Sequence, residues 1–165
     1  MPELLAPAGE WAALVAAVQN GADAVYLGGT AFNARMAAPN FAGSELARAI
    51  DYAHARGVRV YVTVNTLIAD RELEGAADFL RELYGLGADG IIVQDLGLAR
   101  LAREVLPGLP LHASTQMTVH NGPGLELLEE LGFRRAILAR ELSLAALREL
   151  RHRTSLELEI FVHGA

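Results

Sequence analysis

The chain has 165 residues and a net charge of −6; it contains no Cys and no Lys, so that all fourteen basic residues are Arg. It can therefore form no Schiff base and supply no thiolate nucleophile, disulfide or sulfur ligand of its own. With 52% apolar and 21% charged residues it is a globular chain able to bury a large core, and its acidic balance argues against a broad phosphate-tracking surface.

Seven short apolar runs alternate with six amphipathic stretches. Strands are predicted at Leu4–Ala6, Ala24–Leu27, Val58–Val64, Gly90–Val93, Leu111–Ser114, Ala136–Ala139 and Leu158–Val162. The spacing between them predicts helices over Glu10–Asn20, Ser44–Arg56, Arg71–Leu86, Leu96–Leu106, Pro123–Leu131 and Ser143–His152. Ser44, Asp70 and Ser143 are the expected N-caps, and Gly21, Gly57, Gly87 and Gly132 the expected stops. The longest apolar run, Trp11 to Val18, falls short of the roughly 18 residues that cross a bilayer. The start, Met1-Pro2-Glu3, lacks the basic residues of a secretory signal, so a cytoplasmic protein without membrane contact is expected.

Alternating strands and helices predict an α/β fold with a parallel sheet, specifically a TIM-type (β/α) barrel. A complete barrel takes about 250 residues, whereas this chain offers about seven strands and six helices and stops before the eighth unit. The expectation is a partial barrel domain, 1–165, of a larger protein, whose open edges promote self-association. Internal similarity supports one domain: Gly21-Ala22-Asp23-Ala24-Val25-Tyr26-Leu27-Gly28 matches Gly87-Ala88-Asp89-Gly90-Ile91-Ile92-Val93-Gln94, 66 residues on. A fainter copy begins at Gly132.

Polar residues gather just after the predicted strands, where such barrels build their sites. The longest connection, Gly28 to Gly43, has the length of a lid or binding loop, and its Arg35 is a natural bidentate ligand for an anion. Arg140-Glu141 follows the sixth strand and reads equally as a substrate anchor with a general base or as a structural ion pair. Asn65, Gln94, Gln116 and His163 add neutral donors and acceptors suited to a carboxylated or polyoxygenated small molecule. Glu141 and His163 are thus the catalytic candidates, and Arg35, Asn33, Asn65, Gln94, Gln116 and Arg140 the substrate-binding ones.

Other patterns are weaker. Gly28-Gly29 lacks the fuller glycine spacing of a dinucleotide loop and reads more simply as a turn. His112, His120 and His163 with Asp95 or Glu141 match no local metal-ligand spacing, so hydrogen-bonded histidines are favoured and no metal site is assigned. Ser114 stands in no nucleophile elbow. Between Arg134 and Arg153 six Arg face two Glu, a net +4 that reads as solvent-side arginines ahead of an RNA-facing patch.

Taken together, several segments resemble the collagenase-like peptidase U-32 family. They are Glu3-Leu4-Leu5-Ala6-Pro7-Ala8-Gly9, Asp23 to Gly28, Phe32-Asn33-Ala34-Arg35 with Asn40-Phe41, and Val62-Thr63-Val64-Asn65-Thr66. Further on come Ala113-Ser114-Thr115-Gln116-Met117 with His120-Asn121, Ala139-Arg140-Glu141-Leu142-Ser143, and the closing Glu157 to Ala165.

The resemblance implies a barrel-type N-terminal domain from a bacterial enzyme first described as a protease acting on collagen. It also implies a link to oxygen-independent hydroxylation, of tRNA or ribosomal RNA with prephenate as hydroxyl donor, or of ubiquinone precursors. Such members hold a [4Fe–4S] cluster on cysteines, the first directly after the residues matching His163-Gly164-Ala165. Since this chain has no Cys, it carries no cluster alone, and the 165 residues by themselves are expected to be inactive. The leading expectation is the substrate-binding barrel of such a hydroxylase, with a small anion and RNA as partners of the full-length protein. A collagenase-like protease and a silent partner-binding barrel are the alternatives.

Overall fold

The computed structural model describes residues 2–35 and 39–163. Seven strands, β1 (Leu5–Pro7), β2 (Ala24–Gly28), β3 (Arg59–Val64), β4 (Gly90–Val93), β5 (Leu111–Ala113), β6 (Arg135–Ile137) and β7 (Glu157–Glu159), pair in parallel and in sequence order. Six helices alternate with them: α1 (Trp11–Gln19), α2 (Ser44–His54), α3 (Leu73–Gly85), α4 (Leu96–Val105), α5 (Gly122–Glu130) and α6 (Leu144–Arg151). No helix among the described residues is long and apolar enough to cross a membrane.

The two faces of the sheet have different jobs, which follow from the period-two alternation of a strand. Val25, Leu27, Val60, Val62, Val64, Ile91, Val93 and Leu111 point outward and form the main core with the helices. Their inward neighbours Ala24, Tyr61, Ile92 and Ile137 form a second, smaller apolar cluster with Leu5 and Tyr26. The sheet curls far enough that Arg135 of β6 reaches back to Glu3, just ahead of β1, with Nη1 to Oε1 at 2.9 Å. The result is a curled, seven-stranded parallel half-barrel.

The glycine stops are as expected: Gly21, Gly57, Gly87 and Gly132 all have φ between 72° and 87°, where a Cβ is costly. The repeated Gly-Ala-Asp turn also has a visible purpose. Asp23 Oδ2 accepts a bond from the Leu4 amide at 2.8 Å, and Asp89 Oδ2 from the Val60 amide at 2.7 Å. Each aspartate thus satisfies an amide at the entrance of the preceding strand, tying the helix-to-strand turn to its neighbour.

Three boundary expectations are corrected. Ser44 is the first residue of α2, the cap position being Gly43 with φ 47°. Asp70 opens a 3₁₀ turn, Asp70–Glu72, whose Glu72 carboxylate accepts from the Ala69 amide at 2.9 Å before α3 begins. β7 ends at Glu159 rather than Val162, because β6, its pairing partner, is itself only three residues long. Ser143 does cap α6, accepting from the Ala146 amide at 3.2 Å. The sequence reading missed two further caps, Asp95 on α4 and Asn121 on α5.

Candidate functional site

The connections leaving the C-terminal ends of the strands surround a cavity of about 300 Å³. Its wall begins with the long loop after β2, whose described residues are tied down by asparagines. Asn33 is buried; its Nδ2 donates to Asn40 Oδ1 at 2.8 Å, and its Oδ1 accepts from Thr63 Oγ1 at 3.2 Å and from the Arg35 amide at 3.1 Å. Asn40 Nδ2 in turn donates to the Arg35 carbonyl at 2.8 Å, and Asn65 Oδ1 accepts from the Ala34 amide at 3.1 Å.

Gly28 makes this arrangement possible: a Cβ there would lie 2.0 Å from Asn33 Nδ2. At Gly29 a Cβ would meet the Phe79 ring at 2.8 Å. The pair therefore leaves space for packing, with Gly29 bridging to Phe41, and is not a phosphate-cradling loop of positive-φ glycines.

Five of the substrate-binding candidates, Arg35, Asn33, Asn65, Gln116 and Arg140, line this one cavity. Arg35 and Arg140 are exposed, and the Arg140 guanidinium stacks over the Phe161 ring at 4.5 Å. The Arg35 side chain makes no ion pair or hydrogen bond among the described residues. Gln94 and Glu141 do not line the cavity; Glu141 sits exposed in the turn after β6. His163 lines an adjoining groove that shares Arg140 and Phe161 with the cavity.

The remaining sequence candidates are dispersed. Ser114 is buried at the end of β5, where its Oγ accepts from the Gln116 amide at 3.2 Å and faces Gln116 Oε1 at 3.5 Å, with no histidine bonded to it among the described residues. His120 Nδ1 is bonded to the Thr118 carbonyl, and Asp95 caps α4 while also accepting from the Ile68 amide. No three His, Asp or Glu side chains among the described residues converge as a metal site. A [4Fe–4S] cluster needs thiolate ligands, and this chain has no Cys to offer one.

Sequence reasoning missed the interior of the half-barrel. Arg135, read as one of six solvent-side arginines, is 6% exposed and points inward. It is shared by three carboxylates: Glu3 at 2.9 Å, Glu157 at 2.6 Å and Glu159 at 3.3 Å. Arg59 also pairs with Glu3, and Arg134 with Glu157 at 3.3 Å. Burial pushes Glu157 upward, but its hydrogen bonds and attraction to Arg135 win and hold it below the usual carboxylate range. Above Arg135, Glu159 forms part of the cavity wall. Its signal was present in Leu156-Glu157-Leu158-Glu159, an alternation that puts both glutamates on the strand face opposite the helices.

A curled parallel sheet with a cavity at the strand ends defines an α/β protein whose site lies at one mouth of the sheet. The chain belongs to peptidase family U32, whose model matches residues 9–165. It is 38% identical over 164 residues to a tRNA hydroxylation protein of Bacillus subtilis, covering 99% of this chain and 39% of that protein. It is 40% identical over 163 residues to a 23S rRNA 5-hydroxycytidine synthase of Escherichia coli, covering 99% of this chain and 24% of that one. An uncharacterized protease of Methanocaldococcus jannaschii is 39% identical over 170 residues, and this chain spans 41% of it. The chain thus spans well under half the length of these relatives. Among solved structures, a U32 peptidase superposes with a TM-score of 0.82 at 19% identity, covering 97% of this chain and 68% of that one. A thiamine phosphate pyrophosphorylase from Pyrococcus furiosus follows the same fold at a TM-score of 0.67, 16% identity, and 96% and 74% coverage.

Proposed function

We propose that the half-barrel is the first seven units of a TIM-type barrel, and that the protein carrying it is a cytoplasmic enzyme that hydroxylates tRNA or ribosomal RNA. The observation that carries this reading is the 38–40% identity, across 99% of the chain, to proteins named for tRNA hydroxylation and rRNA hydroxycytidine synthesis. The cavity supplies it with a site for a small carboxylated donor such as prephenate. Arg35 and Arg140 face the carboxylates, while Asn65 and Gln116 orient the remaining oxygens. Cysteines outside these 165 residues hold the [4Fe–4S] cluster, so the chain alone is inactive. The protease reading retains a relative of that name, but Ser114 bonded to Gln116 gives it no activated nucleophile.

Loss of one charge-assisted contact weakens binding by roughly 1.5–3 kcal/mol, about tenfold or more. Arg35→Ala and Arg140→Ala, made in the protein that carries this chain, are each expected to weaken prephenate binding by that factor in calorimetric titration while leaving the melting temperature unchanged. Wild-type affinity in both variants would remove the arginines from the site, and with them this role for the cavity.

The chain's edges carry a second proposal. β1 and β7 each have one unpaired side in this sheet, and Ile160, Phe161 and Val162 beside β7 are exposed. The isolated 165 residues are therefore expected to self-associate through these edges. Light scattering that finds only monomer at high concentration would rule this out.

A further inference from the structure

The three carboxylates around Arg135 are not equally served. Glu3 also pairs with Arg59 and accepts from Tyr61 Oη at 3.3 Å, and Glu157 is held by both Nε and Nη2 of Arg135 and by Arg134. Glu159 has a single 3.3 Å contact to Arg135 Nη1, a nitrogen that Glu3 already occupies at 2.9 Å. It is also the member of the network that lines the mouth cavity.

We propose that Glu159 is the proton-bearing group of the cavity, and that its protonated carboxyl donates a hydrogen bond to an oxygen of the bound anion. The inference rests on reading the cavity as an anion site and adds the residue that meets the ligand at its inner end. A carboxylate there would repel an incoming anion, whereas a neutral carboxyl both removes the repulsion and adds a donor. The surrounding charges agree. Arg135 on β6 attracts the ionised form, while Glu3 ahead of β1 opposes it; burial is the largest influence, and together they raise Glu159 above the usual carboxylate range. Glu157 lies two residues away on the same strand, Arg59 and Tyr61 on β3 and His112 on β5 surround Arg135, and Tyr26, Arg35 and Arg140 share the cavity. When the ligand binds at a pH above the Glu159 midpoint, one proton is taken from solvent onto the carboxylate, and the new O–H points at the ligand.

The test is carbon-13 NMR of the protein carrying this chain, labelled at glutamate carboxyl carbons, with the Glu159 signal assigned by its loss in Glu159→Gln. The expected midpoint lies above the ordinary glutamate range, and saturating prephenate moves it higher. Calorimetry of prephenate binding in two buffers of different ionisation enthalpy gives the second reading. Wild type takes up a proton; Glu159→Gln, which keeps a donor, binds within about threefold of wild type with no uptake. A Glu159 midpoint in the ordinary carboxylate range, or undiminished proton uptake in Glu159→Gln, overturns the assignment. A raised midpoint together with no prephenate binding at any pH refutes prephenate as the donor and leaves the Glu159 proton standing.

Discussion

Arg135→Ala is expected to lower the free energy of unfolding by about 3–5 kcal/mol, the range for removing one partner of a buried ion pair. The guanidinium is the only described group that links Glu3 at the β1 edge to Glu157 and Glu159 on β7, so its loss leaves carboxylates facing one another across the open side of the sheet. Burial pulls the Arg135 pKa down, but hydrogen bonds to Glu3 and Glu157 more than offset it, so the group stays charged throughout the accessible pH range. Its side chain also lies over the Tyr61 ring at 5.0 Å, packing that would go with it. Urea unfolding of both proteins measures the difference. A loss under about 1 kcal/mol, typical of an exposed pair, would show that water already screens the network. Adding Glu157→Gln to the variant should recover part of the loss, because neighbours in one network are not additive.

Acid is expected to destabilise the fold through His112. The residue is 2% exposed on β5, packs edge-on against Tyr61 with ring centroids 4.5 Å apart, and has an Nδ1 without a hydrogen-bond partner among the described residues. Burial, reinforced by the Arg135 charge, lowers its pKa from 6.5 to about 3. Because the unfolded chain binds this proton first, the stabilisation is fully present above about pH 6.5 and is lost as pH falls toward 3. One proton changes stability by about 1.4 kcal/mol per pH unit, so roughly 2–3 kcal/mol should disappear over the two units below 6.5. Glu157, held low in the fold, acts in the same sense at lower pH. Glu159, held high, acts in the opposite sense: its contribution favours the fold at low pH and is lost as pH rises through its folded midpoint. Subtracting the pH profile of His112→Gln from that of wild type isolates the histidine. Parallel profiles would mean that His112 titrates alike in folded and unfolded chains.

The mouth cavity was legible where residues announce themselves locally. Arg35, Asn33, Asn65, Gln116 and Arg140 all follow strand ends or lie in the long loop, and the curl of the sheet brings them to one cavity. Gln94 and Glu141 occupy equivalent places in the chain and still fall outside its lining. A residue's position after a strand says which end of the sheet it occupies, but not which way its side chain turns. The loop after β2 shows the same limit: its length suggested a lid or a binding loop, and only the fold shows that Asn33 and Asn40 hold its described residues against the cavity through contacts seven and thirty residues apart in the chain.

The sequence alone determined the seven strands, the six helices, their order and the glycine turns, because strand and helix periods and positive-φ stops are written in neighbouring residues. Even the inward face of β7 was implicit in its alternating glutamates. Only the tertiary structure decided that Arg135 is buried, that it joins Glu3 across 132 residues of chain, and that Glu159 looks into the cavity. These facts depend on strand register and on how tightly the sheet curls. Both are collective results of packing all the strands and helices together, and no local window of sequence contains them.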